Sequence, residues 1–341
     1  MENTKVKAAV VGLGKMGISH YSIINAHPDV DVVGACDSSG FLTGGMSKLS
    51  GATFFNDYEK MLDTCQVDCI MIATPTSSHK KIVSDCLKRG IHVFVEKPFC
   101  LRVTEGQEMV NEAKAKKVVN QVGFHNKFIG TFSKVREYLD ANLLGDVYHI
   151  LGEAYGPVVL KPKGMTWRTK KSEGGGCLHD YASHVIDLMN YYLGAPNSVG
   201  GTVLQKIYSR EVEDAVYSTL FYNKDVTGRL SVNWSEETYR KMSTMITLSG
   251  KKGKIIVDRQ ECKIYLKEAS PAFNLEKGWN VLYTTDLTKP VWFYLRGEEY
   301  SAQIDYFIQS VKAKRIAGAL NTFESALQTD QVIDMLIQDA K

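Results

Sequence analysis

The sequence predicts an α/β chain in two parts. Residues 1–123 form a doubly wound parallel sheet, and residues 124–341 form an α+β domain with a large, mostly antiparallel sheet. Three observations carry this prediction. Short β-branched runs alternate with amphipathic stretches through the first third of the chain. The run Gly12-Leu13-Gly14-Lys15-Met16-Gly17 falls where the first strand gives way to the first helix. After Gly123 the alternation stops, and strand-like segments follow one another with only turn signals between them.

Taken in order, residues 6–11 read as a buried strand, 16–26 as a helix and 30–36 as a second strand. A short helix at 57–64, a strand at 69–73, a helix at 79–89 ended by Gly90, and a strand at 91–95 follow. A helix at 103–116 and a strand at 118–122 complete this part. Helices at this spacing make right-handed crossovers between parallel strands. In the second part, a helix at 131–142 leads to a strand at 147–154. Loop-rich sequence runs up to Gly174-Gly175-Gly176, and a helix continues through Tyr192. The clearest of the later strands are 216–222, 227–234, 243–249 and 254–258, with turn signals at Asn223-Lys224-Asp225 and Lys251-Lys252-Gly253. Runs of strands without helices between them read as largely antiparallel. Helices at 299–314 and 323–339 close the chain, and there is no internal repeat or low-complexity linker.

Composition narrows the class. A chain of 341 residues suits two domains, and 44% hydrophobic with 23% charged residues is ordinary globular content. Forty-one basic against 38 acidic residues leave +3, which gives no ground for a nucleic-acid or membrane partner. No apolar run approaches the roughly 20 residues that span a bilayer. The N-terminal residues run straight into a strand with no hydrophobic signal core, so a cytoplasmic location is expected. The seven cysteines are odd in number and lack paired spacings with histidine, which predicts reduced thiols and no metal site. Cys177 alone is worth following, because it begins the helix that carries the candidate base.

The glycine run has the context that a dinucleotide fingerprint needs: a strand before it, a helix after it, and Asp37 at the end of the second strand. Gly12 makes the tight turn, Gly14 lets the backbone approach a pyrophosphate, and Gly17 lets the helix pack on the strand. The N–H groups of Lys15 and Met16 then face the phosphates. Asp37 lies 20 residues past Gly17, where a carboxylate bonds ribose hydroxyls and repels a 2′-phosphate. NAD is therefore expected over NADP, although Ser38, Ser39 and Lys48 could meet a phosphate. Thr74, Pro75 and His79 follow the fourth strand, and Glu96 and Lys97 the fifth, so all should line the same cleft. His79 also reads as a plain helix-start residue.

In the second half, Asp180 and His184 stand four apart on a helical stretch, hence on one face. A carboxylate behind an imidazole fixes its tautomer and raises its basicity, leaving the other nitrogen to exchange a proton with substrate. Alcohol oxidation needs such a base while hydride leaves carbon, and an ammonium such as Lys97 would stabilise the developing alkoxide. An i,i+4 surface pair is the alternative. Trp167 and Arg168 could offer a stacking platform and a polar anchor to a sugar ring. Lys161, Lys163, Lys170 and Lys171 make that loop basic, and Tyr294 and Arg296 precede a closing helix.

On these motifs, together with Gly123-Phe124-His125-Asn126 and Asp187, the chain resembles the Gfo/Idh/MocA oxidoreductases over essentially its whole length. That resemblance implies a Rossmann domain, an open-faced second sheet used in subunit association, and a homodimer or homotetramer. It implies Lys97, Asp180 and His184 as the catalytic trio, with Lys97 also near the nicotinamide ribose. His125 and Asn126 join Trp167 and Arg168 as candidate substrate contacts. The expected activity is NAD-dependent oxidation of a secondary hydroxyl, or reduction of its ketone, on a sugar, nucleotide sugar or cyclitol. A relative that retains and recycles its cofactor for coupled oxidoreduction, elimination or hydrolysis is the second reading, and a non-catalytic NAD(H)-sensing regulator the third.

Overall fold

The computed structural model describes residues 5–40, 52–159, 167–223, 225–316 and 318–340. The chain divides into two compact units, Met1–His125 with Pro290–Leu327, and Asn126–Lys289 with Gln328–Lys341. Residues 290–327, which the sequence reading assigns to the second part, thus belong to the first.

In the first unit, strands β1 (Val6–Val11), β2 (Val30–Cys36), β3 (Phe54–Phe55), β4 (Cys69–Ile72), β5 (His92–Val95) and β6 (Asn120–Val122) form one sheet in the order β3-β2-β1-β4-β5-β6. Every pairing is parallel. The intervening helices are α1 (Lys15–Asn25), α2 (Tyr58–Thr64), α3 (His79–Lys88) and α4 (Val103–Lys116). Asp57 starts α2 by accepting hydrogen bonds from the N–H groups of Glu59 and Lys60, which satisfies two groups of its first turn. On one face of the sheet Met61, Val83, Leu87, Met109 and Val110 pack with Phe99 and Phe323. On the other, Tyr21, Ile23 and Ile24 of α1 pack beside Ile304, Phe307 and Ile308.

These last three explain the corrected boundary. At i, i+3 and i+4 they share one face of the long helix Glu298–Lys312, and each is fully buried in the same cluster as Val10, Met71 and Phe94. Burying such side chains contributes about 1.5–3 kcal/mol apiece, and periodicity shows that a face is apolar without naming the sheet it covers. Gln121 ties the same helix down by donating to the Gln303 carbonyl. The strand order reverses beside β1, so Gly12, Ala73 and Glu96 end neighbouring strands at the switch point where doubly wound sheets bind ligands.

In the second unit, helix α5 (Gly130–Asp140) precedes β7 (Val147–Tyr155), and a π-helical turn (Leu178–Ala182) runs into α6 (Ser183–Leu193). Strands β8 (Ser198–Gln205), β9 (Ala215–Phe221), β10 (Thr227–Asn233), β11 (Met245–Gly250), β12 (Gly253–Val257), β13 (Glu261–Leu266) and β14 (Gly278–Tyr283) follow. With β7 they form an eight-stranded sheet in the order β14-β13-β12-β11-β7-β10-β9-β8, antiparallel except where β10 runs parallel to β7. Alternate residues such as Leu230 and Val232, Ile246 and Leu248, and Ile264 and Leu266 are buried against the helical layer. Gly152 of β7 is required there: a side chain would overlap Val185 and Met189 of α6. The close approach it allows seats α6 on the sheet.

Candidate active site

The glycine loop of the first unit is shaped by contacts that only glycine permits. Gly12 has φ +90°, and a Cβ there would stand 2.7 Å from the Ala73 carbonyl oxygen. A Cβ on Gly17 would overlap the carbonyl oxygen of Gly12. Gly14 is the opposite case, with nothing within 4 Å of its absent side chain. Gly14 is the N-cap of α1, which no side chain caps and whose first turn carries no acid. The unfilled N–H groups at such a terminus, with the positive end of the helix dipole, suit a diphosphate. Asp37 braces the turn: Oδ2 accepts from the Leu13 N–H at 2.6 Å and Oδ1 from the Ser39 N–H at 2.8 Å. These features fit a dinucleotide held by Gly12, Gly14, Lys15, Met16, Gly17 and Asp37. Lys48, Lys161 and Lys163 lie outside the described residues.

The neighbouring strand ends hold two surprises. His79 is buried, and its two ring nitrogens lie 3.2 Å from the Phe99 carbonyl and 3.1 Å from the Thr74 carbonyl. Burial holds its pKa below the usual imidazole range. Its ring thereby ties the loop after β4 to the loop after β5. Ser78 Oγ donates to Thr74 Oγ1 at 2.7 Å and fixes the same loop. Glu96 also points inward: its Oε1 lies 2.6 Å from His20 Nε2 and its Oε2 accepts from the Lys97 N–H at 3.2 Å. Sequence reading missed His20, although it stands three residues after Gly17 and therefore on the sheet-facing side of α1. His125, after β6, stacks on Tyr300 with ring centroids 4.7 Å apart, and Arg296 lies over the same Tyr300 ring.

In the second unit the glycine run closes a loop back on itself. Gly175 N–H donates to the Lys170 carbonyl and Gly176 N–H to the Arg168 carbonyl. A side chain on Gly175 would overlap the Arg168 carbonyl, and one on Gly176, at φ +108°, would overlap the Glu213 carboxylate. Glu213 Oε1 accepts from the Leu178 N–H at 2.8 Å, an acid placed where the helical stretch begins, and burial raises its pKa. The loop thereby delivers Arg168, whose Nε donates to Asp180 Oδ2 at 2.7 Å while its guanidinium stacks on the Trp167 ring. Arg168, a candidate sugar contact together with Trp167, thus also holds the buried Asp180.

Asp180 stands in the π-helical turn and His184 in the first turn of α6; both are buried. The sequence reading expected one regular helix, and single π turns recur inside helices at functional sites. Further along α6, Asp187 Oδ1 accepts from Lys127 Nζ at 2.8 Å. Burial raises the Asp187 pKa and the Lys127 charge opposes that rise. Asn126 is buried with neither amide atom hydrogen-bonded among the described residues. Cys177 is completely buried, and burial holds its thiol far above the ordinary pKa, which disfavours the thiolate. His179, pushed down to about 4 by burial and by Lys171, is neutral at pH 7. Among the described residues no group of three or more His, Cys, Asp or Glu could hold a metal ion, and no helix is long and apolar enough to cross a membrane.

Comparison with known proteins agrees with this architecture. The Gfo/Idh/MocA oxidoreductase family with an NAD-binding Rossmann fold matches residues 6–124, and that family's C-terminal domain matches residues 132–256. D-glucoside 3-dehydrogenase of Escherichia coli is 26% identical over 65% of this chain and 69% of that protein. The Bacillus subtilis protein scyllo-inositol 2-dehydrogenase (NAD(+)) is 27% identical over 58% of this chain and 57% of its own. The solved structure of levoglucosan dehydrogenase in complex with NADH shares the fold at a TM-score of 0.88 and 19% identity, over 99% of this chain and 97% of that one. With a glycine loop open to a diphosphate and both domains matched, the chain belongs to the Gfo/Idh/MocA family and is an NAD-binding oxidoreductase.

Proposed function

We propose that the protein is an NAD-dependent dehydrogenase moving a hydride between the nicotinamide and a secondary hydroxyl, or its ketone, on a sugar, nucleotide sugar or cyclitol. The observation that carries this reading is the buried His184 beside the π turn that holds Asp180, whose carboxylate is clamped by Arg168. When bound, NAD supplies the acceptor or donor of hydride. His184 takes the hydroxyl proton during oxidation and returns it during reduction. Asp180, held by Arg168, favours the charged imidazole that forms. Lys97, directly after the brace made by Glu96, supplies an ammonium for the charge developing on the substrate oxygen. Thr74 and Pro75 line the cofactor side of the same strand ends.

Asp37 supports NAD over NADP, because its fixed carboxylate would repel a 2′-phosphate. Asn126 offers a buried donor and a buried acceptor, the pair that a sugar hydroxyl satisfies, with His125 beside it in sequence. The names of the glucoside and inositol dehydrogenase relatives point to the same substrate class. The test is to incubate the purified protein and NAD with a panel of aldoses, nucleotide sugars and cyclitols and follow the reduced-nicotinamide absorbance. Rising absorbance with at least one of them, faster with NAD than with NADP, is expected. A flat signal across the panel in both reaction directions would remove the reading.

The open face of the second sheet supports a homodimer or homotetramer. Trp279, Val281 and Tyr283 of β14 are exposed there, with Tyr265 paired opposite Trp279 and Phe221 on β9. Aromatic side chains gathered on one face mark interaction surfaces. Light scattering should give twice or four times the 38.0 kDa chain mass; a monomer at micromolar concentration contradicts this. None of the seven cysteines is in a disulfide, as suits a reducing, cytoplasmic setting.

A further inference from the structure

We infer that His20 and Glu96 form a positioning bracket for Lys97, so that Glu96 serves the site by holding the lysine's main chain rather than by touching the cofactor. The inference rests on the reading of Lys97 given above.

Glu96 is held from three sides within the first unit. His20 Nε2 lies 2.6 Å from Oε1, the Lys97 N–H donates to Oε2 at 3.2 Å, and a Cβ on Gly123 would come within 2.9 Å of both oxygens. The carboxylate is therefore packed between α1, its own strand end and the end of the next strand. Gly123 is the residue that leaves room for it. His20 is wholly buried, with its ring edge-on to Phe94 at a centroid distance of 5.2 Å.

The chemistry of the pair fixes the donor. An ionised carboxylate only accepts, so the imidazole donates from Nε2. Nε2 therefore carries the proton of the bond, and Nδ1 has no hydrogen-bond partner among the described residues. His20 stands one turn after Gly17, so the helix that begins at the glycine loop also reaches the lysine through a single carboxylate. The bracket couples cofactor loop and lysine mechanically.

Its consequence is kinetic. Displacing a catalytic group by about 1 Å can cost roughly 100-fold in rate. His20→Phe keeps an aromatic ring against Phe94 and removes the donor; it should lower kcat about 10- to 100-fold while changing NADH affinity less than about threefold. His20→Gln, which restores an N–H donor, should recover most of the loss. Lys97→Ala should cost much less in the His20→Phe background than in the wild type, because the two act as a unit. Wild-type kcat in His20→Phe, or an equal Lys97→Ala penalty in both backgrounds, overturns the bracket. Nitrogen NMR of the imidazole in the wild-type protein supplies a readout independent of turnover: a proton on Nε2, hydrogen-bonded to the carboxylate, is expected, altered in Glu96→Gln. An unprotonated Nε2 overturns the proposal even if His20→Phe fails to fold. If Lys97→Ala alone keeps full activity while the NMR result holds, the catalytic reading of Lys97 fails and the His20–Glu96 clamp stands.

Discussion

His184→Ala should lower turnover by a factor of about 100 or more while leaving NADH affinity nearly unchanged. The ring lies buried in the first turn of α6. α6 itself is seated by Gly152 against Val185 and Met189. Removing the imidazole leaves that backbone in place and deletes the group assigned to the substrate proton. Most of the loss should appear in kcat rather than KM, since the interaction matters when the proton moves. Steady-state kinetics at saturating substrate, with NADH binding followed by fluorescence titration, separates the two. Unchanged turnover would remove His184 from the mechanism.

Gly17→Ala should be the most damaging single change in the first unit. Its new methyl would overlap the Gly12 carbonyl oxygen, a main-chain atom that cannot rotate away. Relief requires α1 to lift from the strand, at a cost of at least about 1–3 kcal/mol as for other overpacked sites. The lift also disturbs the N–H groups that would hold the diphosphate. A lower melting temperature and at least a tenfold loss of NADH affinity are expected. Gly14→Ala makes the informative contrast: its methyl meets nothing within 4 Å, so the melting temperature should hold while NADH affinity falls. Equal behaviour of the two variants in both assays would contradict the division of labour within the loop.

Much of this organisation was legible in the residues themselves. Strand β4 is buried on both faces and reads as a continuous apolar run, β1 departs from that only at Lys7, and α4 and the helix Phe323–Asp339 were placed with the observed bounds. β14 was missed because its apolar residues face outward: Trp279, Val281 and Tyr283 are exposed while Gly278 and Asn280 are only partly covered. Such a pattern looks like a polar loop with stray aromatics. The return of residues 290–327 to the first unit was invisible for the reason given by Phe307 and Ile308, whose partners lie some 200 residues or more upstream.

The site was legible as a set of residue types and only partly as a set of roles. Spacing four apart put Asp180 and His184 on one helical face, but gave no sign of the π turn or of Glu213 at its start. Trp167 and Arg168 drew attention as an aromatic–cation pair, and only the fold shows that Arg168 is bonded to Asp180 while it stacks on Trp167. The position of His79 after β4 was legible, but its enclosure between two main-chain carbonyls was not. His20 lacked a motif of its own, because its importance comes from Glu96, 76 residues away.

The central claim is direct hydride transfer with His184 as proton acceptor, and carbon-bound deuterium tests it most directly. A substrate found in the absorbance screen, deuterated at its carbinol carbon, is reacted with NAD in ordinary water, and the reduced nicotinamide is examined by mass spectrometry. The account predicts one deuterium in each reduced nicotinamide for the wild-type protein and the same label, formed far more slowly, for His184→Ala. Reduced nicotinamide without the label, or labelled product formed equally fast by both proteins, would contradict it.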